Sequence, residues 1–309
     1  MYYPEITDKD FYEKIYLKKE FRENEVLVVE PKKKDKSGSS NFELEPHQNF
    51  LKNYISPDTP YNGVLIYHGT GVGKTCTAIS IAEGFKKTLR NINKKILVLL
   101  TLKDNFINGI YNEVKEKHKK NPEDIVQCTG KEYELGEEYK HLTEAQKRKE
   151  ILNKIKYYYE FKGYGSFANY VIETTGGWKG EEDKITEQIK KFISKEFDDR
   201  VIIMDEIHTI KTGKKNDLTK NIQPILQSII KYGKNIKLVL MSATPMFDRP
   251  DEIIFYMNLL LLNDKRQPID KNDIFTIQGT LKPNIEDKLR DYFKGYISYI
   301  RSEKPETFP

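Results

Sequence analysis

The run Gly63-Val-Leu-Ile-Tyr67, followed directly by His68-Gly-Thr-Gly-Val-Gly-Lys-Thr75, constrains this chain more than any other stretch. A short aliphatic run reads as a strand buried on both faces, and helical periodicity from Lys74 completes a strand–turn–helix unit. A Gly-rich turn in that position lets several backbone N–H groups converge on an anion at a helix N-terminus. Gly69, Thr70, Gly71, Val72 and Gly73 would form the phosphate cradle, Lys74 would reach the β and γ phosphates of ATP, and the Thr75 hydroxyl would bind Mg²⁺. The first position departs from the strict P-loop pattern, which opens on Gly or Ala where this chain has His68. A ligand-free turn between strand and helix is the plain alternative.

Further apolar runs at Lys95–Thr101, Val201–Met204 and Lys237–Met241 alternate with amphipathic stretches. That alternation predicts an α/β fold, a mostly parallel sheet flanked by helices. Between residues 102 and 199 the pattern is looser. A strand is expected at Ile125–Cys128, a helix from the capping-box spacing Thr143-Glu-Ala-Gln146, a strand at Phe167–Ile172 and a charged helix over Glu181–Glu196. Beyond residue 245, helices are expected near Asp251–Leu262 and Ile285–Lys294, with Tyr296-Ile-Ser-Tyr-Ile300 after them. Residues 1–40 read as an N-terminal accessory segment, with a strand-like run at Val26–Val29 and a solvated linker at Lys32–Ser40; residues 41–309 read as one domain.

Composition narrows the partners. The chain has 52 basic and 47 acidic residues, a net charge of only +5, so any nucleic-acid surface must be local. Two cysteines, Cys76 and Cys128, cannot build a disulfide framework or a zinc site, and their scarcity fits a reducing compartment. The start of the sequence carries no secretory pattern, and runs such as Ile96–Leu100 and Leu259–Leu262 are too short to span a bilayer. The expectation is a cytoplasmic protein, neither secreted nor membrane-inserted.

Two further motifs carry chemistry. Val201-Ile-Ile-Met-Asp-Glu-Ile-His208 ends a strand in paired carboxylates, where parallel sheets bind ligands. Asp205 would hold Mg²⁺ and Glu206 would orient or deprotonate the attacking water. Leu238-Val-Leu-Met-Ser-Ala-Thr-Pro245 ends another strand in two hydroxyls and a proline.

In this order, Gly-Thr-Gly-Val-Gly-Lys-Thr, Asp-Glu-Ile-His and Ser-Ala-Thr-Pro resemble motifs I, II and III of superfamily 2 helicases of the Asp-Glu-x-His type. The resemblance implies a RecA-like P-loop NTPase domain that uses ATP and Mg²⁺, with His208, Ser242 and Thr244 coupling hydrolysis to nucleic-acid movement. It places Gln48 at the adenine edge and Lys103 in the nucleic-acid channel. It also implies a second RecA-like domain carrying an arginine finger, and the residues after Pro245 are too few for one, so that domain is expected from outside this chain. Pro46-His-Gln-Asn-Phe-Leu51 and Ser242-Ala-Thr-Pro-Met-Phe-Asp-Arg-Pro-Asp-Glu-Ile253 narrow the resemblance to ATPases of large cytoplasmic DNA viruses, such as the poxvirus early transcription factor small subunit and nucleoside triphosphatase I. The implied role is an ATP-driven motor on nucleic acid, DNA in preference to RNA, tied to viral transcription in the host cytoplasm or virion and to a viral RNA polymerase. A strand-unwinding replication or repair helicase stays open, as does a polymerase-associated subunit that uses ATP as a switch.

Two surface readings remain. Tyr157-Tyr-Tyr159, Phe161, Tyr164 and Phe167, mixed with Lys154, Lys156 and Lys162, would suit base stacking, but an amphipathic helix with its aromatics in the core is the favoured reading. Trp178, flanked by glycines and Lys179, is a candidate loop contact.

Overall fold

The computed structural model describes residues 2–25, 42–119, 121, 124–210, 221–246, 249–276 and 278–301. The run at 26–29 and the linker at 32–40 lie outside them. In chain order the helices and strands are α1 (Phe11–Tyr16), α2 (Lys19–Arg22), α3 (Pro46–Tyr54), β1 (Gly63–His68), α4 (Lys74–Asn91), β2 (Ile96–Leu100), α5 (Lys103–Ile110), α6 (Glu113–Lys117), α7 (Glu144–Tyr158), β3 (Tyr159–Gly163) and α8 (Tyr164–Thr174). Then come α9 (Glu187–Phe197), β4 (Val201–Met204), α10 (Ile222–Tyr232), β5 (Lys237–Ser242), α11 (Glu252–Asn263), α12 (Lys271–Ile274), α13 (Glu286–Phe293) and β6 (Ile297–Ile300). The strands form one sheet in the order β3-β2-β4-β5-β1-β6, and every pairing is parallel.

Successive side chains of a strand point to opposite faces, and here both faces are buried. Leu65, Leu97, Leu99, Ile202, Met204, Leu238 and Leu240 pack into one core with residues of α8 to α11. Their neighbours Val64, Ile66, Val98, Val201, Ile203, Val239 and Met241 pack into the other, with α3, α4, α5 and α7. That double burial is why the central strands read as continuous aliphatic runs. Residues 2–25 join the second core: Phe11 and Phe21 are buried among Tyr54 and Tyr61, whose hydroxyl donates to the Pro4 carbonyl at 3.0 Å.

The looser middle differs from its sequence reading in several places. Ile125–Cys128 forms no strand, because the sheet edge beside β2 is taken by β3. The segment is fastened by side chains instead: Gln127 bonds the backbone of Asn112 through both ends of its amide, and Thr129 donates to the Ile110 carbonyl. Phe167–Ile172 lies inside α8, where Tyr164, Phe167, Ala168 and Val171 recur at helical spacing and are buried. The helix expected over 181–196 is a short turn at Glu182–Lys184 followed by α9, capped by Thr186. The aromatic and lysine cluster is not one helix, since α7 ends at Tyr158 and β3 starts at Tyr159. Tyr159, Tyr164 and Phe167 are buried, while Tyr157 is exposed. Trp178 is buried and donates to the Glu181 carbonyl at 2.9 Å, so it is a core residue. The capping box at Thr143 is present, with Gln146 returning its bond to the Thr143 N–H. Among the described residues no helix is long and apolar enough to cross a membrane.

Candidate nucleotide and coupling site

The three sequence motifs meet because their strands are neighbours. β5 lies between β4 and β1, so the turn after β1, the carboxylates after β4 and the hydroxyls after β5 share one edge of the sheet. In parallel sheets that carboxyl-end crevice is where ligands bind.

The turn after β1 has Gly71 and Gly73 in the left-handed region, with φ of 78° and 80°. Gly73 is also the N-cap of the 18-residue α4, and a Cβ there would stand 2.5 Å from the Gln48 Nε2, so this position needs glycine twice over. Gln48 is buried and ties two elements together: Oε1 accepts from the Glu45 N–H at 2.9 Å, and Nε2 donates to the Gly73 carbonyl at 3.3 Å. One amide hydrogen and one lone pair are left over, the pair an adenine edge requires. The Lys74 ammonium folds back onto the carbonyls of His68 and Gly69, at 3.0 and 3.2 Å. Burial lowers its pKa, and Glu206 and Asp205 oppose that shift.

His68, the departure from the P-loop pattern, is wholly buried. Its Nε2 lies 2.8 Å from the Ser298 hydroxyl on β6, its ring meets that of His47 edge-on, and Gly69 N–H donates to the Ile300 carbonyl. Burial first, then His47 and Lys74, push its pKa down to about 4, so the ring is neutral near pH 7. The imidazole therefore clamps the mouth of the loop to β6.

At the end of β4, Asp205 N–H still donates to the Leu99 carbonyl of β2, and the Asp205 carbonyl accepts from the Tyr164 hydroxyl at 2.7 Å. Glu206 then turns into the left-handed region, φ 48° and ψ 49°, a conformation that costs a non-glycine residue about 1 kcal/mol. Its Oε2 is buried with no hydrogen-bond partner, 3.2 Å from His208 Nδ1, while the bond of that nitrogen goes to the Ser242 hydroxyl at 3.0 Å. Ser242 is fully buried and also accepts from the Thr244 N–H, whose residue is exposed. The ends of β4 and β5 are thus bonded through His208 and Ser242.

Burial, and then Glu206, raise the Asp205 carboxyl to about 6 from the ordinary aspartate value of 3.8. A raised carboxyl pKa means that the folded chain holds the proton more tightly than the unfolded one. Stability is given up as pH climbs from about 4 to about 6, and the cost is complete above that. Asp205→Asn is therefore expected to stabilise the protein by on the order of 2 kcal/mol at pH 7.5 and to change nothing at pH 4. Urea unfolding at the two pH values checks this, and equal shifts at both would contradict it.

The donor set fits a nucleotide phosphate with Mg²⁺: a glycine cradle at a helix N-terminus, a lysine, a hydroxyl at Thr75 and the half-buried Asp205 carboxylate. Among the described residues no group of three or more His, Cys, Asp or Glu could hold a metal by itself. A cation here would complete its shell from phosphate oxygens and water, as Mg²⁺ does. Thr75 also packs on α5, where a Cβ on Gly109 would come within 2.9 Å of its methyl. The next residue, Cys76, is bonded to Cys128 with 5.5 Å between Cα atoms, a tie from the first turn of α4 to the 124–130 segment that runs against reading the two cysteines as a mark of a reducing compartment.

Lys103 starts α5 at the end of β2, with its ammonium 5.7 Å from the Phe161 ring, and Lys162 lies 3.5 Å from the ring centre of Tyr170. Lys103 therefore brings one basic group beside an aromatic ring at the β2 end of this edge, while the Lys162 ammonium is paired with Glu160 at 3.2 Å. Tyr164 and Ser298 are the two site residues that sequence reasoning did not place here.

Residues 41–247 match the family described as "Type III restriction enzyme, res subunit". The chain belongs to this family. Its fold and motifs make it a superfamily 2 helicase-type ATPase domain. It is 33% identical over 343 residues to a protein of Acanthamoeba polyphaga mimivirus inferred to be an ATP-dependent RNA helicase, covering 99% of this chain and 28% of that protein. It is 23% identical over 365 residues to the early transcription factor large subunit homolog of African swine fever virus, covering 90% of this chain and 32% of that one. The SWI2/SNF2 ATPase core of Sulfolobus solfataricus, solved with double-stranded DNA, overlays at 15% identity and a TM-score of 0.46, over 87% of this chain and 46% of the other. The chain thus spans less than half the length of these viral relatives.

Proposed function

We propose that this domain is the nucleotide-binding half of an ATP-driven motor that acts on nucleic acid during viral transcription. The convergence of Lys74, Asp205, Glu206 and Ser242 at three adjacent strand ends carries the reading. In it, Gly69 to Gly73 and Lys74 bind the phosphates, Gln48 meets the adenine, and Thr75 and Asp205 hold Mg²⁺. Mg²⁺ held there would neutralise charge on the phosphates, and Glu206 would orient the attacking water. His208, Ser242 and Thr244 pass the state of the nucleotide to the nucleic-acid side. The second RecA-like domain, with its arginine finger, comes from the remainder of a longer protein in the host cytoplasm or virion.

DNA is the preferred substrate in this reading, and a viral RNA polymerase the preferred partner. The early-transcription name of the African swine fever virus relative favours DNA, whereas the name of the mimivirus relative favours RNA. Steady-state ATP hydrolysis by the full-length protein, with duplex DNA and duplex RNA in parallel, tests the choice. The DNA arm is expected to stimulate more strongly, and stimulation by RNA alone would move the protein to RNA. The 309-residue chain by itself is expected to bind nucleotide yet turn over at less than about one-tenth of the full-length rate, because an arginine finger contributes strongly to such reactions. Full nucleic-acid-stimulated turnover by the chain alone would sink the two-domain reading.

A further inference from the structure

We propose that Tyr164 is a positioning residue for the water-activating carboxylate, holding Glu206 in place through the Asp205 carbonyl; this deepens the ATPase reading and rests on it. Tyr164 is the first residue of α8 and is almost fully buried, with its ring in the core beneath the sheet edge. Its hydroxyl donates to the Asp205 carbonyl at 2.7 Å. That carbonyl belongs to the peptide joining Asp205 to Glu206, so its direction sets the plane from which the Glu206 side chain departs.

The bond comes where the β-ladder stops helping. Asp205 N–H is the last group of this strand bonded to β2, through the Leu99 carbonyl, and the chain then enters the left-handed turn at Glu206. Without the hydroxyl, the peptide after Asp205 would keep its own N–H bond to the Asp205 carboxylate and, from beyond, the Thr209 N–H bonding the Glu206 carbonyl at 2.9 Å, but nothing among the described residues would hold its carbonyl. A left-handed residue other than glycine persists when its surroundings over-determine it, and the tyrosine is one of those restraints. A carboxylate displaced by a fraction of an ångström loses its alignment with the attacking water but leaves the phosphate cradle intact. The effect belongs in kcat, with KM for ATP unmoved.

The placement of the tyrosine adds to the argument. It stands at the end of edge strand β3, where the chain enters α8, so its hydroxyl is carried by a helix start packed into the core.

Tyr164→Phe removes the hydroxyl and keeps the ring, so the core stays filled. In the full-length protein with duplex nucleic acid, kcat is expected to fall about tenfold, with KM for ATP and the affinity for a fluorescent ATP analogue within about twofold of wild type. The melting midpoint is expected to stay within a few degrees. A kcat within about twofold of wild type would overturn the role. So would parallel losses of kcat, nucleotide affinity and melting midpoint, since those mark general damage. Wild-type protein that fails to hydrolyse ATP would overturn the ATPase reading and this role with it, whereas an active wild type beside an unimpaired variant overturns the role alone.

Discussion

Glu206→Gln in the full-length protein is expected to lower kcat about 10³-fold while ATP still binds. General-base assistance is worth roughly 10²- to 10⁴-fold, and the geometry of Glu206 assigns it that work. Its Oε2 has no hydrogen-bond partner, and His208 Nδ1, 3.2 Å away, bonds the Ser242 hydroxyl instead, which leaves the oxygen open to a water. Glutamine keeps the length and shape of the side chain and accepts the same left-handed backbone, so the turn and the Lys74 cradle are retained. Charge is what changes. Glu206 is the second-largest influence raising the Asp205 carboxyl, so the substitution lets Asp205 ionise more easily and keeps Mg²⁺ binding available at lower pH. Steady-state ATPase assays beside titration with a fluorescent nucleotide separate the two effects. Turnover within tenfold of wild type would remove Glu206 from the mechanism.

What could be read from the sequence follows from how deeply each element is buried. β1, β2, β4 and β5 were legible because both faces of each are covered, which leaves an unbroken aliphatic run. β3 was not legible. As an edge strand it tolerates Glu160 and Lys162, and Tyr157 and Tyr158 run into it directly from α7, so no turn residue marks the change of period. Phe167–Ile172 misled for the opposite reason: a run of aromatic and β-branched residues suggested a strand, while the burial spacing beneath it was helical. Within the site, each motif announced its own strand end, but contacts between distant residues did not. Nothing in the Gly-rich turn names Ser298, more than two hundred residues away, as the partner of His68. Similarly, Tyr164 stood out as an aromatic, and only the fold aims its hydroxyl at Asp205. The pairing of Cys76 with Cys128 needed the same long-range closure, across 52 residues.

Lys74→Ala is expected to separate function from stability. The ammonium is partly buried and its pKa is lowered, so the folded chain carries a charge that burial penalises. Its partners, the carbonyls of His68 and Gly69, lie at a loop mouth that water can reach once the side chain is gone. The melting midpoint is therefore expected to hold or rise. Nucleotide chemistry has no such substitute, because among the described residues the lysine is the side-chain cation of the cradle and meets charge that grows on the transferring phosphoryl group. Removing it is expected to cost about 10³-fold in kcat/KM, with part of the loss in ATP affinity. A second consequence follows from the electrostatics: Lys74 lowers the Asp205 pKa, so without it that carboxyl moves further above about 6 and residual Mg²⁺-dependent activity falls away at a higher pH than in wild type. A variant that keeps wild-type kcat/KM, or one whose melting midpoint collapses along with its activity, would show that Lys74 is a structural tie of the loop and that phosphate is held by other groups.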